Sequence, residues 1–314
     1  MLGATFTFSG LVKANDPMGT IYKIEDYFAA WSLHINQDSA MIFAIILMMA
    51  EFILGIMLIF NIANRLTAKA TLILMSAMTV LTLWLALTNA VDDCGCFGDV
   101  IVLTNWQTFI KNIVLLAMAV IIVSNTKQKC ISLTKAKWFM IGGTVAYLLF
   151  AAYNYFCLPA IDFSPYKVGS NIKEKMELPE NRNMPEIIDF YIETLNGEDM
   201  TEAILAEDTV CLLAMPFIQE ASQVRCSSIN EFYQACEDNG IKFCCLTASS
   251  DDEIKKWKEH THAQYPFARM DDVTLKTMVR SNPGLIILNY GTVINKYSNW
   301  QITNIFKKSQ TNRQ

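Results

Sequence analysis

Long apolar runs, each with at most one charged residue, fill the first half of the chain and stop near residue 160. Four of them approach the roughly 20 helical residues that span a bilayer core: residues 40–60, 67–90, 107–124 and 138–160. A shorter apolar stretch, residues 1–12, reads as the outer half of a first transmembrane helix whose upstream part is missing. It has no basic region before it, so it does not read as a complete signal peptide. Asn15-Asp16-Pro17-Met18-Gly19 breaks that helix. Residues 21–33 mix Tyr22, Tyr27, Phe28 and Trp31 with Lys23, Glu25 and Asp26, which predicts an amphipathic helix at the membrane interface.

Beyond Pro159 the pattern becomes that of an ordinary globular sequence. Residues 161–183 read as a polar linker, and 187–194 with 198–205 as a hairpin around Asn196-Gly197. An apolar strand at 209–215 precedes a helix at 227–239 ended by Gly240. A second buried strand follows at 241–248. Ser249 is the expected N-cap of a helix over 250–261, with Asp251, Asp252 and Glu253 in its first turn. An extended piece at 265–269, a helix at 272–280 and a hairpin of 284–289 with 292–297 complete the series. The predicted fold class is an α-helical polytopic membrane bundle of four to five transmembrane helices followed by an α/β domain. Its expected boundaries are 1–125 for the bundle, 126–160 for a cytoplasmic loop and last helix, 161–205 for linker and hairpin, and 206–314 for the domain.

Composition supports the membrane reading: 53% of the 314 residues are hydrophobic and only 18% charged, too apolar for a single soluble domain. A net charge of −5 gives no nucleic-acid signal, so a lipid bilayer is the expected partner. Basic residues set the orientation. Arg65 and Lys69 lie in one loop, and Lys127, Lys129, Lys135 and Lys137 in another. Residues 89–106 hold no Lys or Arg, and 14–39 hold only Lys23. Basic loops stay in the cytoplasm, which puts Cys130 inside and both residues 89–106 and the C-terminal domain on the outer, periplasmic side of a cell membrane.

The chemistry concentrates in Asp92-Asp93-Cys94-Gly95-Cys96-Phe97-Gly98-Asp99. Residues two apart can fall within the Cα separation of a disulfide, roughly 4.4–6.8 Å, and the small ring suits exchange better than a permanent staple. The flanking carboxylates oppose a very acidic thiolate. A structural metal site would need further ligands and no His lies near; a lipid-modified cysteine normally lies on the cytoplasmic side. The redox pair is therefore the favoured reading. Glu51 sits inside an apolar span and must face protein or water, either as a hydrogen-bonded structural group or as a proton or ligand group. Cys157, late in the last span, is a secondary thiol, although a lone helical Cys is more often a small packed residue. Among the domain cysteines, Cys226 beside Arg225 at a helix start is the expected reactive thiol. Cys226 and Cys236 are too far apart along one helix to bond. Cys211, Cys244 and Cys245 read as buried free thiols, with Cys244 or Cys245 able to reach Cys211 from the adjacent strand.

Phe6-Thr7-Phe8-Ser9-Gly10-Leu11-Val12-Lys13, then Asp16-Pro17-Met18-Gly19, then the Cys-Gly-Cys-Phe-Gly loop together resemble the DoxX-like family, specifically its MauE branch, over roughly residues 1–125. That resemblance implies a polytopic bundle built on four transmembrane helices, with Cys94 and Cys96 as a redox pair. It further implies a role in the processing, transport or maturation of the disulfide-rich small subunit of methylamine dehydrogenase. The short first helix departs from the family. The βαβ unit followed by αββ resembles a thioredoxin fold, with Asn282-Pro283 where that family keeps a cis-proline. It departs decisively at Pro216-Phe217-Ile218-Gln219-Glu220, where Cys-x-x-Cys is missing. The leading expectation is thiol–disulfide exchange supporting disulfide formation or maturation of an envelope protein client. The alternative is a non-catalytic membrane scaffold that binds lipid or a partner. No cofactor motif is visible, and a lipid-soluble quinone is compatible with the first reading.

Overall fold

The computed structural model describes residues 1–91, 93–125, 131–178 and 184–302. Asp92, Cys130 and the end of the expected linker at 179–183 lie outside the described residues. The chain divides into two units, Met1–Asn154 and Tyr155–Gln314.

The first unit is helical. It contains α1 (Leu2–Asn15), α2 (Pro17–Ala30), α3 (Gln37–Ile59), α4 (Asn64–Thr88), α5 (Asn105–Ser124) and most of α6 (Leu133–Cys157). Asp16 separates α1 from α2 as expected: its carboxylate accepts from the Gly19 amide while Pro17 opens α2. Helices α3 to α6 are each long and apolar enough to cross a membrane. Their exposed side chains include Ile46, Ile73, Leu87, Val114, Trp138 and Leu149. Such an outer surface suits lipid, where all backbone groups are satisfied within helices. The protein is thus a multi-pass membrane protein. Helix α6 begins five residues before the expected start at Trp138, so Lys135 and Lys137 belong to its first turns.

Helices α1 and α3 pack closely through glycines. A Cβ on Gly55 would lie 2.5 Å from the Thr7 amide nitrogen, and one on Gly10 would lie 2.9 Å from that of Phe52. Small residues let helix backbones approach in this way inside a membrane. Helix α6 joins them through Tyr147, whose hydroxyl lies 2.8 Å from the Gly10 carbonyl oxygen and 3.1 Å from that of Met48. At one end of the bundle the Ala63 amide donates to the Ile131 carbonyl, and the Ile131 amide to that of Asn61. The loop after α3 and the chain entering α6 therefore meet at the same end.

The second unit has a six-stranded sheet in the order β1-β4-β3-β2-β5-β6. Its strands are β1 (Glu193–Thr194), β2 (Val210–Ala214), β3 (Lys242–Thr247), β4 (Phe267–Arg269), β5 (Gly284–Asn289) and β6 (Thr292–Ser298). The helices are α7 (Ile172–Met176), α8 (Thr201–Leu205), α9 (Cys226–Asp238), α10 (Asp251–Thr261) and α11 (Asp272–Met278). Strand β2 runs parallel to β3 and antiparallel to β5, which pairs with β6. This βαβ–ββ arrangement is thioredoxin-like, and the Asn282–Pro283 bond is cis. Alternation along β2 sends Leu212 and Ala214 to one core and Cys211, Leu213 and Met215 to the other.

Three expectations for this unit are corrected. The stretch read as a linker is part of the fold: Tyr166 and Ile172 are buried in the core with Leu212 and Leu288. The turn at Asn196-Gly197 forms, but its second arm becomes α8 rather than a strand, because Ile204 and Leu205 bury from a helix. The Thr201 amide donates to Asp199 and its hydroxyl oxygen accepts from the Ile192 amide, fixing that helix start. Finally, Ser250, not Ser249, caps α10 in a reciprocal capping box with Glu253. The Ser249 hydroxyl instead accepts from the Ile218 amide at 3.0 Å.

Candidate functional site

The loop between α4 and α5 carries the cysteine pair. Asn105 closes its base, donating from Nδ2 to the Val91 carbonyl at 2.9 Å and to Asn89 Oδ1 at 3.3 Å. Cys94 and Cys96 are joined as a disulfide with Cα atoms 5.4 Å apart, inside the usual range. Both are only half-buried, so an attacking thiol can approach. Gly95 adopts φ +62, and a Cβ there would lie 2.7 Å from Lys23 Cγ, so both backbone and space demand glycine.

Helix α2 braces the loop from one side. Tyr27 donates to the Cys94 carbonyl at 3.0 Å, and Lys23 pairs with Asp93 at 3.3 Å. Burial, then the carboxylates of Asp93 and Asp26, push the Tyr27 phenol upward and keep it a donor. Asp93 also accepts from the Gly95 amide at 2.6 Å. Its charge is thus balanced by Lys23 and directed into the turn, which weakens the carboxylate pressure expected on the thiols. Phe97 packs against Phe8, with ring centroids 5.7 Å apart, while the Lys111 ammonium lies 4.3 Å from the Phe97 centroid. A shallow pocket no larger than a water molecule adjoins the pair, lined among others by Phe97, Ile101, Leu103 and Thr108.

Beneath the loop lies a buried polar cluster. Ser9 and Lys13, four residues apart on α1, share a face with Glu51 of α3. Lys13 Nζ contacts Glu51 Oε2 at 2.6 Å, Ser9 Oγ at 2.7 Å and the Cys96 carbonyl oxygen at 3.1 Å. Ser9 Oγ lies 2.6 Å from the Cys96 carbonyl and 2.8 Å from Glu51 Oε2. The three donors of the ammonium therefore each have an acceptor. Glu51 faces the bundle interior, as expected for an acid inside a span. Reading the sequence alone missed its partner. Lys13 is the only cation in α1, and it lies just past the apolar run read as a partial first transmembrane helix.

The remaining thiols are placed differently. Cys157 ends α6, half-buried and with a free thiol. Cys226 opens α9, but it is buried, and that burial pushes its thiol up, against the activation expected from a helix start. Arg225 stacks on Trp300 at 4.5 Å and donates to its carbonyl. Cys211 stands opposite Phe243 in the sheet, out of register with the β3 cysteines. Its sulfur neighbour is Cys236, 3.9 Å away.

These features define a membrane helical bundle bearing a disulfide loop, followed in the same chain by a thioredoxin-like domain. Residues 1–125 match the family model described as methylamine utilisation protein MauE. No curated protein matches the chain. Solved structures similar to it include a putative protein disulfide isomerase from Bacteroides thetaiotaomicron, at 12% identity and TM-score 0.32, covering 47% of this chain and 90% of that one. Another is the thioredoxin domain of a thiol-disulfide oxidoreductase from Bacteroides vulgatus, at 14% identity and TM-score 0.31, covering 38% and 91%. A third is a thioredoxin-like protein from Bacteroides caccae, at 12% identity and TM-score 0.32, covering 80% and 78%.

Proposed function

We propose that this protein carries out thiol–disulfide exchange with an envelope protein client, using Cys94 and Cys96 as the exchanging pair. The observation that carries this reading is the half-exposed Cys94–Cys96 disulfide held from one side by Tyr27 and Lys23 of α2 and from beneath by the Ser9–Lys13–Glu51 cluster. A client thiolate attacks one loop sulfur, the loop disulfide breaks and a mixed disulfide forms. The client's second thiol then closes the client disulfide and leaves the loop reduced; two electrons pass from client to loop. The distribution of basic residues among the loops supports an orientation with this chemistry at the outer, periplasmic face of the cell membrane, where disulfides persist. The thioredoxin-like domain, without Cys-x-x-Cys, serves as the platform for the client.

The test uses the full chain in detergent micelles with a synthetic peptide dithiol. Peptide oxidation and loop reduction are both followed by maleimide mass shift. The parent should oxidise the peptide with matching reduction of Cys94 and Cys96. Cys94→Ser and Cys96→Ser should each slow this by on the order of 10²-fold or more, because attack and resolution need both sulfurs. Undiminished transfer in the double variant would leave the scaffold reading instead.

A further inference from the structure

The exchange reading leaves a question of charge, and the cluster beneath the loop answers it. Lys13 is 5% exposed and Glu51 7%, so this is a buried pair, costly to desolvate unless every donor is used. An ion pair that only docked α1 onto α3 would not require contact with the loop. Here one ammonium donor and the Ser9 hydroxyl both reach the Cys96 carbonyl oxygen, which is four covalent bonds from the Cys96 sulfur. Resting on the proposed exchange, we infer that Lys13 is the fixed positive charge that holds the thiolate released when the Cys94–Cys96 bond opens, and that Glu51 sets how much of that charge is available.

The step balances as follows. A thiolate of a peptide dithiol attacks one loop sulfur, the sulfur–sulfur bond breaks, and the other sulfur leaves as a thiolate. The peptide's remaining thiol closes the peptide disulfide and displaces the first loop sulfur. The peptide has lost two electrons and two protons; one proton ends on a loop sulfur and one in solvent. The loop then carries a net negative charge above a pair that was neutral, and Lys13 is the cation bonded to its backbone. Opposite charge at short range favours the ionised sulfur. Other charged or titratable groups around this centre are Lys111 of α5, over Phe97, and Tyr147 of α6, bonded to Gly10 and Met48. On the α2 side Lys23 is paired with Asp93 and Asp26. Lys13 and Glu51 act through the loop and are positioning residues.

The experiment equilibrates the full chain in micelles with graded mixtures of reduced and oxidised glutathione, traps thiols with maleimide and quantifies the Cys94–Cys96 peptide by mass spectrometry. Lys13→Met should move the equilibrium toward the disulfide by at least about fivefold, and Glu51→Gln toward the dithiol by a similar factor, because the amide leaves the ammonium uncompensated. Lys13→Arg, which keeps the charge, should stay near the parent. Iodoacetamide should alkylate the reduced pair of Lys13→Met only at higher pH than the parent. A structural role predicts no shift, or shifts of one sign in both variants, and either result overturns the inference. Should Lys13→Met fail to fold, Glu51→Gln alone decides, since its shift must favour the dithiol. A parent pair that never exchanges with glutathione would instead overturn the exchange reading itself.

Discussion

Gly95 shows how much of the site depends on one residue. Its left-handed backbone lets the Asp93 carboxylate accept the Gly95 amide and turns the Cys94 carbonyl toward Tyr27. Gly95→Ala should cost about 1–2 kcal/mol from the backbone conformation alone. The added methyl also displaces Lys23 from Asp93. The expected outcome is a folded protein with a weakened loop, seen as slower peptide oxidation with an unchanged melting temperature for the C-terminal domain. Unaltered exchange in this variant would mean that the loop geometry does not matter to the chemistry. At this scale the cysteines and Glu51 were legible, because a Cys-Gly-Cys pair and an acid in an apolar span are conspicuous. The Ser9–Lys13 half of the cluster was not: serine and lysine near a helix end are ordinary residues until the fold brings them opposite Glu51.

Elements were legible where their periodicity was strong and less so where context decides. The four spans, β2, β3 and the terminal hairpin follow from runs of apolar residues, and the break before α2 from Asp16-Pro17. The second arm of the Asn196-Gly197 turn failed because five residues with two buried side chains fit a short helix as well as a strand. Likewise, cysteine pairing between elements depends on register and helix phase. Cys211 of β2 and Cys236 of α9 point into one core with sulfurs 3.9 Å apart. Hydrogen bonding with Cys236 and burial push the Cys211 thiol up, while the same hydrogen bond lowers the Cys236 thiol; it is the burial of both side chains that should keep reagents from the pair in the folded state. When the domain is loosened with mild denaturant in oxidised glutathione, Cys211–Cys236 should be the first intradomain disulfide detected by peptide mapping. Capture of Cys226 or Cys244 in its place would show that the sheet and α9 are not packed as described. Cys211→Ser should cost about 1–3 kcal/mol by placing a hydroxyl in that core.

Across the whole molecule, the arrangement of loops ties chemistry to compartment. The basic loop after α3 and the chain entering α6 are hydrogen-bonded to each other at one end of the bundle. The cysteine loop joins α4 to α5 after one further crossing, so it belongs to the opposite end. In the orientation we propose from the positive-inside rule, the Arg65 and Lys69 end faces the cytoplasm and the cysteine loop faces outward. Intact spheroplasts treated with a mild reductant and a membrane-impermeant maleimide should be labelled at Cys94 and Cys96. Cys130, on the segment between α5 and α6, should react only after the membrane is permeabilised. Labelling of Cys130 in intact cells, with Cys94 and Cys96 protected, would reverse the orientation. The exchange would then have to work in a reducing cytosol, where a disulfide loop would be held open and its oxidising direction lost.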